Sequence, residues 1–101
     1  MAEYQITLWR DIPSMVVARE GDNVTKVQLA GRFQEAIDEA AMRLGEVGSD
    51  DYLAGWSRSE WTSADGDHAS VAAAVSERLE NEWTQVRLGT YLDSLGPVAE
   101  A

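Results

Sequence analysis

The sequence has no cysteine, one histidine, one lysine, one phenylalanine and two prolines in 101 residues. Without cysteine the chain can form no disulfide, offer no thiolate to zinc or an iron–sulfur cluster, and use no cysteine nucleophile. That absence fits a reducing compartment. The single lysine, Lys26, and the scattered arginines face 18 acidic residues, for a formal net charge of −10. Phosphate backbones require clustered Lys and Arg, so neither nucleic acid nor an anionic membrane is an expected partner. The charge suggests a basic partner or simply solubility. No apolar run approaches the ~20 residues of a membrane helix. The opening MAEYQITLWRD has no basic stretch followed by an apolar one, so no signal peptide is expected and a cytoplasmic location is.

What is present suits one soluble domain. Apolar residues make up 45% and charged residues 26% of the chain, ordinary values for a globular fold. Such a chain buries roughly 65% of its unfolded surface, enough for one core with little margin. Residues 4–9 alternate Tyr4, Ile6 and Leu8 against Gln5, Thr7 and Trp9, the pattern of a strand with one buried face. Pro13 predicts a turn or bend, after which SMVVAR reads as a second strand. EGDN is a turn signal, and VTKVQL a third strand with Val27 and Leu29 on one face.

Helical spacing begins at residue 32. Phe33, Ile37, Ala40, Ala41 and Leu44 form one apolar stripe, and Gly45 supplies a stop. SDDYLAGW predicts a short helical turn capped by Ser49 or Asp50, and SRSEWTS an extended piece. Asp67 can cap a helix carrying Val71, Val75, Leu79 and Trp83. VRLGTYLDSLGP then predicts a last helix ended by Gly96-Pro97. The expected class is α+β, a small antiparallel sheet with two main helices packed on one face in the order β-β-(β)-α-β-α. The expected division is a domain over 1–84 and a C-terminal helical extension or tail over 85–101.

No catalytic constellation emerges. His68 has Ser70, Asp65 and Asp67 nearby, but a predicted helix start on an exposed turn is a poor place for a buried Ser-His-Asp relay. SADGDHAS fails as a calcium loop, because positions five, six and twelve from Asp65 are Ala69, Ser70 and Ser76. Glu35, Asp38 and Glu39 read as a solvated helix face, with Glu39 and Arg43 as an i, i+4 pair. Asp50 and Asp51 are sequence neighbours, which does not place them across a cleft. Neither glycine-rich phosphate-binding pattern occurs. No metal site and no cofactor is expected.

Four tryptophans are many for this length. They can fill a core poor in phenylalanine or supply an aromatic patch for a partner. By strand parity Trp9 falls with Gln5 and Thr7 and would project from the polar face. Trp56 and Trp61 differ in parity, so one strand would send them to opposite faces. The candidate binding residues are Trp9, Arg10, Asp11, Trp56 and Trp61.

YQITLWRDIPSMVVAREG, RFQEAIDEAAMRLG, SDDYLAGW and EWTSADGD together resemble a small bacterial family, the virulence-factor domain, over residues 3–83. The family occurs as short free-standing proteins and as the terminal module of a longer protein, conserved virulence factor C. Free-standing members lie beside genes of corrinoid-dependent methyl transfer and folate one-carbon chemistry. The resemblance brings no catalytic residues. It implies a non-enzymatic accessory or interaction module with a protein partner, a methyltransferase or corrinoid protein being the class its setting suggests. The alternatives are a small enzyme or ligand-binding domain with a carboxylate/arginine cleft, using Arg10 or Arg58, and a homodimer formed through the sheet edge or the tail.

Overall fold

The structure is a computed structural model that describes residues 1–45 and 48–96. Three strands form a meander: β1 (Ala2–Trp9), β2 (Ile12–Glu20) and β3 (Asn23–Gln28). The helices α1 (Gly31–Leu44) and α2 (Ser49–Ala54) carry the chain across to the far edge of β1. There β4 (Trp56–Arg58) and β5 (Thr62–Ala64) each pair with β1, end to end along that edge. The helices α3 (His68–Glu82) and α4 (Gln85–Ser94) follow. All pairings are antiparallel, in the order β3-β2-β1-β4 with β5 also on β1. The expected α+β class and the third strand are therefore present.

The first turn is tighter and earlier than Pro13 suggested. Trp9 pairs with Ile12, leaving Arg10 and Asp11 as a two-residue loop, and Arg10 sits in the left-handed region at φ +53°. Pro13 lies inside β2, opposite Leu8. A proline cannot donate to the ladder, and it is tolerated here because the register shifts at this point. Thr7 pairs with Met15 and Leu8 with Pro13, so Ser14 is the extra residue of a bulge. The second turn is as expected, with Gly21 at φ +59°.

One core joins the sheet to the helices. Ala2, Val16, Ala18, Leu29, Phe33, Ile37, Val71, Val75, Leu79 and Leu88 belong to it, with Tyr4, Ile6 and Val27 packed against it. The stripe expected on α1 is the buried one, Leu44 being half-buried at its end, and Gly45 closes the helix at φ +71°. Asp67 caps α3 as expected. The Ser70 N–H donates to its Oδ1 at 2.7 Å, and that bond holds the Asp67 carboxyl below its ordinary 3.8. The cap position of α2 is Gly48, one residue before the expected Ser49 or Asp50. Asp50 and Asp51 instead occupy its first turn, where carboxylates favour the helix dipole.

Two arginines tie the helices together. Arg32 in the first turn of α1 donates to the carbonyls of Glu80 (2.8 Å) and Trp83 (3.2 Å), which the end of α3 would otherwise leave unpaired. Arg43 pairs with Glu39 at 3.1 Å, as expected, and donates to the carbonyls of Leu92 and Gly96, both at 3.1 Å. These bonds and buried Leu88 hold α4 against α1. Residues 97–101 of the expected tail, Pro97 included, lie outside the described residues. His68 is not the exposed turn residue expected. It is half-buried, and its Nδ1 shares a 2.6 Å hydrogen bond with Thr25 Oγ1, which joins the start of α3 to β3. No described helix is long and apolar enough to cross a membrane.

Ile37 is fully buried among these elements. Ile37→Ala is expected to lower unfolding free energy by about 2–4 kcal/mol, the range for emptying a packed aliphatic site. Urea denaturation measures it.

Candidate functional site

The five candidate residues divide between two places. Trp9, Arg10 and Asp11 form a structural corner. Leu8 stays half-buried, whereas Trp9 has no exposed surface, because Tyr52 of α2 and the Gly55 turn cover its ring. This corrects the expected projection of Trp9 from the polar face. Parity along β1 names a side of the strand but not what covers it, and the covering elements come from residues 52–55. The Trp9 Nε1–H donates to the Tyr52 carbonyl at 2.8 Å. Its ring stacks on Tyr52 with centroids 5.8 Å apart, and Tyr52 meets Trp56 edge-on at 6.1 Å.

Gly55 closes this cluster from above. A Cβ there would lie 2.5 Å from Trp9 Cε2 and Nε1. The backbone of Gly55 is ordinary right-handed helical (φ −74°, ψ −20°), so the requirement is for space and not for an unusual torsion. Arg10 donates its backbone N–H to the Gly55 carbonyl at 2.8 Å, and its guanidinium carbon lies 5.6 Å from the Trp9 ring centre. Asp11 accepts a hydrogen bond from Tyr91 Oη at 3.2 Å. Burial, then the Asp11 charge beside it, pushes the Tyr91 phenol above 10. The corner thus fastens α2, the Gly55 turn and α4 to the first hairpin.

Trp61 belongs elsewhere. The core claims one face of the sheet, and register assigns the other face to Glu3, Gln5 and Thr7 of β1, Met15, Val17 and Arg19 of β2, Val24, Lys26 and Gln28 of β3, and Arg58 of β4. A shallow hollow of about 230 Å³ opens there, walled by Gln5, Thr7, Met15, Val17, Lys26, Arg58 and Trp61, with no helical residue among them. A second hollow adjoins it at Thr7, Trp56, Ser57 and Arg58. Trp56 therefore bridges the two places, packing on Tyr52 inside and bordering the open face outside.

Ser59 puts Trp61 there. Pairing with β1 breaks between β4 and β5, and Ser59 fills the gap from both backbone and side chain. Its N–H donates to the Ile6 carbonyl at 2.9 Å, and its Oγ accepts from the Ile6 N–H at 2.9 Å. Gln5 Nε2 donates to the Ser59 carbonyl at 3.0 Å. With the ladder stitched by a side chain, Glu60 and Trp61 can leave the strand line. The Trp61 ring then lies under Arg19, whose guanidinium carbon is 3.7 Å from the ring centre, close enough for cation–π attraction. SRSEWTS, expected as one extended piece, is two short strands around this break.

Among the described residues, the side chains of Lys26 and Arg58 form no ion pair or hydrogen bond, whereas Arg19 pairs with Glu3, Arg43 with Glu39 and Asp93, and Arg78 with Glu82. Lys26, Gln5, Met15, Val17 and Ser59 were not singled out by the sequence reading. The alternation of VTKVQL held part of the signal, since Val27 facing in sends Lys26 out. Among the described residues no group of three or more His, Asp and Glu converges as a metal site would need.

A family model described as virulence factor matches residues 7–91. The matched span includes both hairpin corners, the Ser59 break and most of α4. Neither a curated protein nor a solved structure matches the chain.

Two outcomes follow from the corner. Gly55→Ala should cost about 1–3 kcal/mol through overpacking on Trp9, read as a lower denaturation midpoint with a red-shifted tryptophan emission. The raised Tyr91 phenol means that the folded state holds its proton more tightly than the unfolded state. That stabilisation is complete below pH 10 and fades as pH rises through the folded-state value. Asp11→Asn should move the Tyr91 ultraviolet titration back toward 10, and an unchanged titration would contradict the contact.

Proposed function

We propose that this chain, which belongs to the virulence factor family, is a non-enzymatic interaction module whose working surface is the open face of the sheet. The observation that carries this reading is a pair of cations, Lys26 and Arg58, unneutralised among the described residues and walling one hollow beside Trp61 that no described helix lines. A folded domain that leaves apolar Met15 and Val17 half-buried between two such cations presents the mixture of aromatic, apolar and charged groups typical of recognition surfaces. The partner class is a methyltransferase or corrinoid protein of a one-carbon methyl-transfer system, as the resemblance of the WRDIPS and EWTSADGD segments implies.

The carboxylate/arginine cleft of an enzyme finds a weaker counterpart. Arg32 and Glu35 line a small hollow between α1 and α4. There Arg32 is already committed to the carbonyls at the end of α3, so its directed donors do not face a substrate.

The test is affinity capture from the native host with the full chain as bait. A methyltransferase or corrinoid protein should be retained by the wild-type chain and lost with a Arg58→Glu/Trp61→Ala variant that still folds. Retention of neither class above background would contradict the methyl-transfer assignment, and equal retention by the variant would contradict the surface.

A further inference from the structure

The net charge hides a segregation of charge. Among the strand residues the open sheet face carries three cationic side chains, Arg19, Lys26 and Arg58, and by register one carboxylate, Glu3. Glu3 serves Arg19, so the two remaining cations stand alone on an otherwise strongly acidic molecule. The total charge taken alone suggests a basic partner, but the local charge of this face calls for an anionic one. We infer that the face receives an extended acidic segment of a partner protein, two carboxylates gripping Lys26 and Arg58 with an apolar side chain seated between them on Met15 and Val17. This deepens the interaction-module reading and rests on it.

The spacing supports an extended segment. Lys26 lies on β3 and Arg58 on β4, with β2 and β1 between. Strands ~4.8 Å apart put these two elements about 14 Å from each other, and an extended chain rising ~3.3 Å per residue spans that in about four residues. Carboxylates at i and i+4 then share one side of the segment with the residue at i+2. Gln5 and Thr7 lie along the same track and can hydrogen-bond the segment's backbone.

Charge also selects this occupant over two others. A nucleic acid would bring many phosphates against two free cations and an opposing field from a net charge of −10. A second copy would bring another −10 with it. A short segment with two carboxylates meets the local charge and little of the remainder, and pairs flanking an apolar seat are better desolvated than rim charges.

A fluorescein-labelled peptide with the core Glu-Ala-Leu-Ala-Glu, titrated into the purified chain and followed by anisotropy, tests the inference. Binding should be saturable, weaken as salt rises from about 20 to 150 mM, and fall about tenfold or more with Gln in place of both Glu. Lys26→Glu and Arg58→Glu should each cause a similar loss with circular dichroism and melting temperature unchanged. Both side chains are exposed and outside the core. Absence of binding at low salt, binding indifferent to either reversal, tighter binding of a single-stranded oligonucleotide, or self-association through this face in sedimentation would each overturn it. If the peptide fails while the native-host partner is still retained in an Arg58-dependent way, the acidic-segment inference falls and the interaction-module reading survives.

Discussion

Everything else in the fold is arranged around the sealing of Trp9. Its indole is the largest fully buried side chain among the described residues, its one polar atom is satisfied by the Tyr52 carbonyl, and the glycine above it leaves no room for a Cβ. A buried indole N–H without a partner costs ~1–3 kcal/mol, so α2 must lie where that carbonyl is. The backbone bond from Arg10 to Gly55 then fixes the start of β4, and the bond from Tyr91 to Asp11 brings α4 to the same corner. A local feature of three residues thereby sets the position of elements 40 to 80 residues away in sequence.

That corner separates the molecule into an inside and an outside. Once α1, α3 and α4 share one core with one side of the sheet, no described helix lines the hollow on the other side. The residues there are not those of a solvated face alone. Met15 and Val17 lie between polar neighbours, and Trp61 is carried over them by a strand break that Ser59 stabilises. Near the core, Arg43 pairs with carboxylates and Arg32 has its donors satisfied by helix-end carbonyls, while among the described residues the Lys26 and Arg58 side chains have neither kind of partner. The proposed recognition of an anionic group would give these two charges a role.

The sequence was most legible where periodicity was unbroken. The α1 stripe from Phe33 to Leu44, the Asp67 cap and the Gly21 turn all follow from local rules, and each is where those rules put it. It was least legible where one residue changes phase. The bulge at Ser14 replaces the bend expected at Pro13, and Trp9 is buried by residues 52–55, which strand parity does not reveal. The side-chain stitch at Ser59 divides what alternation reads as one strand. His68 looked exposed because its partner, Thr25, is 43 residues away and only tertiary structure brings the two together. The candidate site shows the same pattern. Trp61 and Trp56 could be picked out by type, and their opposite parity does separate them, but the pairing of Lys26 with Arg58 across four strands depends on a sheet order that no local pattern specifies.

The central claim is that a cationic recognition face exists on an acidic protein. Collisional quenching of the Trp61 emission, taken as the difference between the wild-type chain and Trp61→Phe, tests it most directly. Iodide should quench this difference signal more strongly than caesium, because the local field near Arg19, Lys26 and Arg58 outweighs the net charge of −10 at that ring. Quenching by caesium equal to or stronger than that by iodide would show that the face is not cationic and would contradict the account.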